Sequence, residues 1–183
     1  MIEVTKLEEG GFTPALAGLS LSHKKDGKMD EVALKLAQKD GGHNKFLEQM
    51  IVWLRVRAPR YWWQQADTYR MSSKSSESTM HTLVKELILL PDSLQEKSNF
   101  LTKNFEYPPT FQTLDGWISL AKDGELETLK ALLPEGFLQT RIWMLSYKTL
   151  RNIILQRQNH KLGHWQDFIH QVKSQVYFPE MLP

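Results

Sequence analysis

Cysteine is absent from the 183-residue sequence, which excludes disulfides, thiolate zinc sites and a cysteine nucleophile in one step. Long apolar runs are missing too. No stretch approaches the roughly 20 residues that cross a bilayer, and the first residues carry no charged-then-apolar leader. A cytoplasmic location away from membranes is the expectation. Charge of one sign is also lacking: the net charge is +2, too mild to mark a nucleic-acid footprint by itself. No internal repeat or low-complexity tract occurs beyond one serine cluster.

What is present is ordinary for a globular chain, with 41% hydrophobic and 24% charged residues. At this length one domain over residues 1–183 can bury its own core. The first strong element is a strand from Phe46 to Ala58. Met50, Val52, Leu54 and Val56 fall on one face, and Ile51, Trp53, Arg55 and Arg57 on the other. The second face suits a half-exposed strand or a sheet edge facing a partner or an anion. A helix follows from Pro59, placing Trp62, Gln65, Ala66 and Tyr69 on one side at i, i+3, i+4, i+7 spacing. It runs into a loop rich in hydroxyls, Ser72, Ser73, Ser75, Ser76 and Ser78, which compete for nearby backbone groups.

Elsewhere, Met1–Thr5 reads as a short strand broken at Gly10-Gly11 and Pro14. Ala15–Ser20 reads as a small-residue turn into a strand, and His23–Asp30 as a solvated loop. Asp30 is the expected N-cap of a helix that stops at Gly41-Gly42. His81–Leu90 is helical and ends at Pro91, whereas Asp92–Pro109 reads as irregular. Thr110 caps a helix with Phe111, Leu114, Trp117, Ile118 and Ala121 inward. Asp123-Gly124 breaks it before a short helix over Glu125–Leu133. A final helix beyond Gly163 aligns Trp165, Phe168, Ile169, Val172 and Val176.

One helix of the last third stands out. Over Thr149–Gln158 the stripe Leu150, Ile153, Ile154 is completed by Arg157. A guanidinium is seldom buried without an anion or a carbonyl to meet it; the plainer reading is that it snorkels past the core to water. His160 and His164 are four apart, but Gly163 breaks a helix between them and no zincin glutamate intervenes. No metal site is expected.

Taken in order, these pieces resemble the flavin-dependent thymidylate synthase family, whose signature is Arg-His-Arg, seven residues, then Ser. Here Thr68-Tyr69-Arg70 is followed at that interval by Ser78. Val56-Arg57-Ala58-Pro59 and Gln65 precede it, and Gly42-His43 stands where the family has a flavin-contacting pair. Leu133-Pro134, then Ser146-Tyr147-Lys148-Thr149, Asn152 and Arg157, follow the family's later run. The resemblance implies an α/β (α+β) fold with a central, mostly antiparallel sheet flanked by helices, assembled as a homotetramer with sites at subunit interfaces. It implies binding of FAD and of a pyrimidine nucleotide, dUMP. The family reaction is methylation to dTMP with methylenetetrahydrofolate and NADPH, without a protein nucleophile. By position, Arg157 matches the catalytic, uracil-activating arginine. Gln65, Ser73, Ser78, Lys130 and Arg157 match substrate positions; Ser20, His43, Arg70 and Asn152 match cofactor positions.

Departures accompany the matches. The signature's first arginine is Thr68 and its histidine Tyr69. An Asn-Glu pair has become Ser75-Ser76, a last arginine Met80, and in the later run Asn is Ser146 and Arg is Lys148. Two classes of function therefore stand: a divergent flavin- and nucleotide-dependent enzyme, or a catalytically inactive relative serving as a nucleotide-binding or protein-interaction scaffold. A nucleic-acid surface built from Arg55, Arg57, Arg60 and Trp62-Trp63 ranks behind both, because such sets are more often interface and core.

Overall fold

The computed structural model describes residues 2–23 and 29–183. Among them are four strands, β1 (Glu3–Gly10), β2 (Ile51–Pro59), β3 (Ser72–Ser76) and β4 (Leu138–Ser146). The helices are α1 (Phe12–His23), α2 (Met29–Ala37), α3 (Arg60–Ala66), α4 (Thr82–Leu89), α5 (Leu94–Asn104), α6 (Phe111–Lys122), α7 (Leu126–Leu132), α8 (Tyr147–Arg157) and α9 (His164–Lys173). The strands form one antiparallel sheet in the order β1-β2-β4-β3, and the α/β class expected from sequence holds. The chain divides into two compact units. The larger comprises Ile2–Val56, Ala66–Ser75 and Arg141–Pro183, and the smaller Arg57–Gln65 and Ser76–Thr140.

In the larger unit, β2 alternates as its sequence requires: Val52, Leu54 and Val56 are fully buried, while Arg55 is exposed. Trp143 and Leu145 of β4, Ile153 and Ile154 of α8, and Trp165, Phe168 and Val172 of α9 complete its core. An edge strand leaves a row of unpaired backbone groups, and α9 together with the turn after it covers those of β1. Gln171 Oε1 accepts from Val4 N at 2.9 Å, and Gln171 Nε2 donates to the Ile2 carbonyl at 3.1 Å. Gln175 does the same for the Lys6 N–H and the Val4 carbonyl, at 2.8 and 2.9 Å. Between β1 and α1, Gly11 holds φ at +89°, and a Cβ there would lie 1.9 Å from the Gln49 carbonyl oxygen. Only glycine fits.

The smaller unit is a helical cluster around Leu87, Phe100, Phe105, Leu114, Trp117 and Leu129. Thr110 caps α6 as expected, accepting from Thr113 N at 3.2 Å. Trp62 and Trp63 are fully buried and meet edge to face at 5.0 Å, so they offer no stacking platform for bases.

Several expectations are corrected. Residues 15–20 are helical, since Pro14 sits in the first turn of α1, where its missing N–H costs nothing. Asp30 lies inside α2 rather than capping it. The centre of the expected loop over His23–Asp30, residues 24–28, lies outside the described residues. Within Asp92–Pro109 stands α5, capped by Ser93, whose hydroxyl accepts from Glu96 N at 3.2 Å. Pro59 closes β2, so α3 starts at Arg60 and Tyr69 lies beyond its end. Ser72–Ser76 of the serine cluster form a strand at the sheet edge, not a loop, while Ser78 lies beyond it: pairing overrides weak propensity. A fourth strand, β4, has no counterpart in the sequence reading.

Candidate functional site

The site is built along α8, in the larger unit. Ser146 caps this helix, its hydroxyl accepting from Thr149 N at 3.1 Å. Thr149 in turn donates to the Met71 carbonyl at 3.0 Å, fixing the segment that leads from Tyr69 into β3. The polar face of α8 carries Lys148, Arg151, Asn152 and Gln156, and it lines a cleft of about 630 Å³ shared with Asp40, Glu48 and residues 68–71. That volume suits a small organic ligand, for which pockets run roughly 300–1,000 Å³. Three cationic side chains, Arg70, Lys148 and Arg151, face two carboxylates, Asp40 and Glu48.

Two of the cations are held. The Lys148 amine donates to the side-chain oxygen of buried Asn44, whose amide reaches the Ala37 carbonyl at 3.4 Å. Arg151 donates to Asp40 at 3.0 Å and to the Gln38 carbonyl at 3.2 Å. Its side chain is only 8% exposed, whereas that of Asp40 is 78% exposed. The Arg151 Nε is buried with no hydrogen-bond partner, which is unusual for a guanidinium.

At the far end of α8 a directional relay runs through Tyr69. Arg157 Nε donates to the Tyr69 hydroxyl at 2.8 Å, that hydroxyl donates to Gln156 at 3.1 Å, and Gln156 donates to Asn152 at 3.1 Å. The Arg157 guanidinium also sits 4.9 Å from the Trp165 ring and 5.6 Å from that of Tyr69, a favourable cation–ring arrangement. Arg157 is therefore half-buried with an acceptor oxygen and two aromatic faces, not snorkelling alone past the core. On β3, Lys74 lies 3.7 Å from Asp67 and 4.8 Å from the Trp143 ring. Burial pulls its pKa below the ordinary lysine value, although Asp67 pushes the other way.

The positions singled out in the sequence fall on several elements. Arg70 and Asn152 line the cleft, and Arg157 is tied to it through Tyr69. Ser73 is exposed on β3. His43 is exposed and borders a second hollow of about 400 Å³ with Gly18, Gly42 and Gln49. Ser20, on α1, donates to the Ala17 carbonyl at 2.7 Å. Gln65, Ser78 and Lys130 belong to the smaller unit. There Ser78 starts α4 by accepting from Thr82 N at 2.9 Å, and Lys130 is exposed in the last turn of α7. Sequence reasoning missed Arg151, Asp40 and Gln156. The i, i+3, i+4, i+7, i+8 run of Lys148, Arg151, Asn152, Leu155 and Gln156 is the signal that could have found two of them. Among the described residues no group of three or more metal-ligating side chains occurs.

A family model described as thymidylate synthase complementing protein matches residues 13–176. The chain belongs to this family. Its fold agrees with the flavin-dependent thymidylate synthases: a crystal structure of thymidylate synthase X from Helicobacter pylori with FAD and dUMP superposes with a TM-score of 0.77. That match covers 99% of this chain and 96% of the other at 16% identity. A second structure of the Helicobacter pylori enzyme, also with FAD and dUMP, gives 0.76 at 16% identity over 95% and 93%. At such identity the likeness speaks for the fold. No curated protein sequence matches the chain. Within this thymidylate synthase-like frame, Thr68 and Met71 occupy the cleft wall beside Arg70, and α8 adds the other two cations, Lys148 and Arg151.

Proposed function

We propose that this protein binds a uracil nucleotide of the dUMP type together with FAD, as a divergent flavin-dependent thymidylate synthase. The observation that carries the reading is the α8 cleft, where Arg70, Lys148 and Arg151 gather beside the Arg157–Tyr69–Gln156–Asn152 relay. The donor set fits a phosphate-bearing ligand. Three cations and two side-chain amides stand in the wall against two carboxylates, and one buried guanidinium nitrogen still lacks an acceptor. Arg70 and Asn152 would hold the cofactor, with Ser20 and His43 as further contacts; Arg157 would hold the pyrimidine. Gln65, Ser73, Ser78 and Lys130 keep their assignment as substrate positions contributed across an assembled homotetramer. The whole chain, 1–183, acts as one domain in this reading, supported by a fold match that spans nearly all of it, and its expected location is cytoplasmic.

When bound, FAD supplies the redox chemistry of the family reaction, methylation of dUMP to dTMP with methylenetetrahydrofolate and NADPH. The chain's own part is to orient and polarise. Arg157 presents N–H donors where negative charge develops on a uracil carbonyl oxygen, while Tyr69 and Trp165 hold its plane. A second reading, a nucleotide-binding relative without turnover, draws on Thr68 and Met80, which stand where the family carries arginine.

The test is direct. Purified protein should be yellow or should gain thermal stability with added FAD, and dUMP should bind to it. A colourless preparation that neither FAD nor dUMP stabilises would refute the proposal. Binding of both without dTMP formation when methylenetetrahydrofolate and NADPH are added would select the second reading.

A further inference from the structure

We infer that Arg151 is the receptor for a nucleotide phosphate in the α8 cleft, and that Asp40 is a displaceable stand-in for that phosphate. The inference deepens the nucleotide reading above and rests on it. A guanidinium with 8% exposure calls for an anion. The anion present is a carboxylate that is 78% exposed and touches one nitrogen at 3.0 Å. Water solvates such a carboxylate well, so it holds the arginine weakly and competes poorly with a dianion. The Gln38 carbonyl satisfies a second nitrogen, and Nε remains buried without a partner. Arginine meets phosphate best with two parallel N–H donors, more than Asp40 uses.

The surroundings are arranged for such an exchange. Asp40 precedes Gly41 and Gly42, whose φ values of +68° and +88° make a tight turn free of helix restraint. It can leave the arginine without moving α2 or α8. Arg151 lies on the cleft face of α8 between Lys148 and Asn152. With Asp40 withdrawn, Arg70, Lys148 and Arg151 face Glu48 as the remaining carboxylate of the cleft wall. The ligand chemistry is a phosphate or pyrophosphate ester, which either the pyrophosphate of FAD or the monophosphate of dUMP can supply.

The experiment titrates inorganic pyrophosphate, FAD and dUMP separately into the wild-type protein, Arg151→Gln, Arg151→Lys and Asp40→Asn, following binding by calorimetry. Arg151→Gln should weaken the ligand seated there by about tenfold or more, the loss of a charge-assisted bond. Arg151→Lys should recover part of that loss. Asp40→Asn should tighten the same ligand by roughly threefold or more, because the competing charge is gone. The arm that responds, FAD or dUMP, names the source of the phosphate. Asp40→Asn guards against a folding defect, since misfolding cannot raise affinity. Ligand affinities unchanged by Arg151→Gln and Asp40→Asn, with FAD or dUMP still bound, would overturn the inference and leave the nucleotide reading intact. Pyrophosphate binding that depends on Arg151, with neither FAD nor dUMP bound, would uphold the phosphate receptor and overturn the nucleotide reading.

Discussion

Replacing Tyr69 with phenylalanine removes a single oxygen that links Arg157 to Gln156. The ring stays, so the edge-to-face contact with Trp165 at 6.1 Å and the cation–ring contact are kept. What is lost is an acceptor for a charged donor, in the range of about 1.5–3 kcal/mol. Arg157 is half-buried, so water recovers part of that, and a net loss of about 1–2 kcal/mol is expected. Some of it appears as stability, measured by urea unfolding, and some as nucleotide affinity. If the whole loss falls on dUMP binding, Kd rises by roughly 5- to 30-fold. A double-mutant cycle of Tyr69→Phe with Arg157→Lys isolates the pair, and a coupling near 1 kcal/mol is expected. Coupling below about 0.3 kcal/mol in both stability and dUMP affinity would show that the hydroxyl does not position the arginine.

Gly11→Ala should destabilise the protein by about 2–4 kcal/mol, read as a lower thermal midpoint, because its Cβ meets the Gln49 carbonyl at a positive φ. Ser93→Ala should cost about 1 kcal/mol in urea unfolding by uncapping α5; no change would deny the cap any role. The Tyr147 hydroxyl donates to Glu9 and accepts from Phe178 N. Burial first, then Glu9, push its pKa well above the ordinary tyrosine value. A phenol held neutral in the folded state contributes stability in full below the unfolded pKa of about 10 and loses it as pH rises toward the folded pKa. Stability should therefore fall above pH ~10, and Tyr147→Phe should flatten that fall in pH-dependent urea melts; an identical alkaline profile in the variant would count against it.

Legibility tracked how local each cause is. Strand β2 was readable because its period of two is written in Val52, Leu54 and Val56. Helix α6 was readable because Thr110 and the Leu114–Trp117–Ala121 stripe are neighbours in sequence. Strand β4 escaped notice since its residues are buried or half-buried on both faces, which erases alternation. Strand β3, four serines and a lysine, exists because β4 lies beside it. Helix α5 did carry a local signal, Ser93 three residues before Glu96, but Asn99, Asn104 and Pro108-Pro109 argued more loudly for irregular chain. The site divides the same way. Arg157 was conspicuous as a cation ending an apolar stripe. Arg151 was not, since its significance lies in Asp40, 111 residues away in sequence.

Gln171 of α9 and Gln175 just beyond it, which close the outer edge of β1, set an order of events during synthesis. Val4 and Lys6 leave the ribosome roughly 170 residues before Gln171 and Gln175 can reach them. Throughout that interval the first strand presents an open ladder to any other nascent chain. The last helix is thus a delayed seal. A chain shortened before Gln171 would keep every residue of β2, β3 and β4, yet should accumulate as pairing-prone, chaperone-bound material.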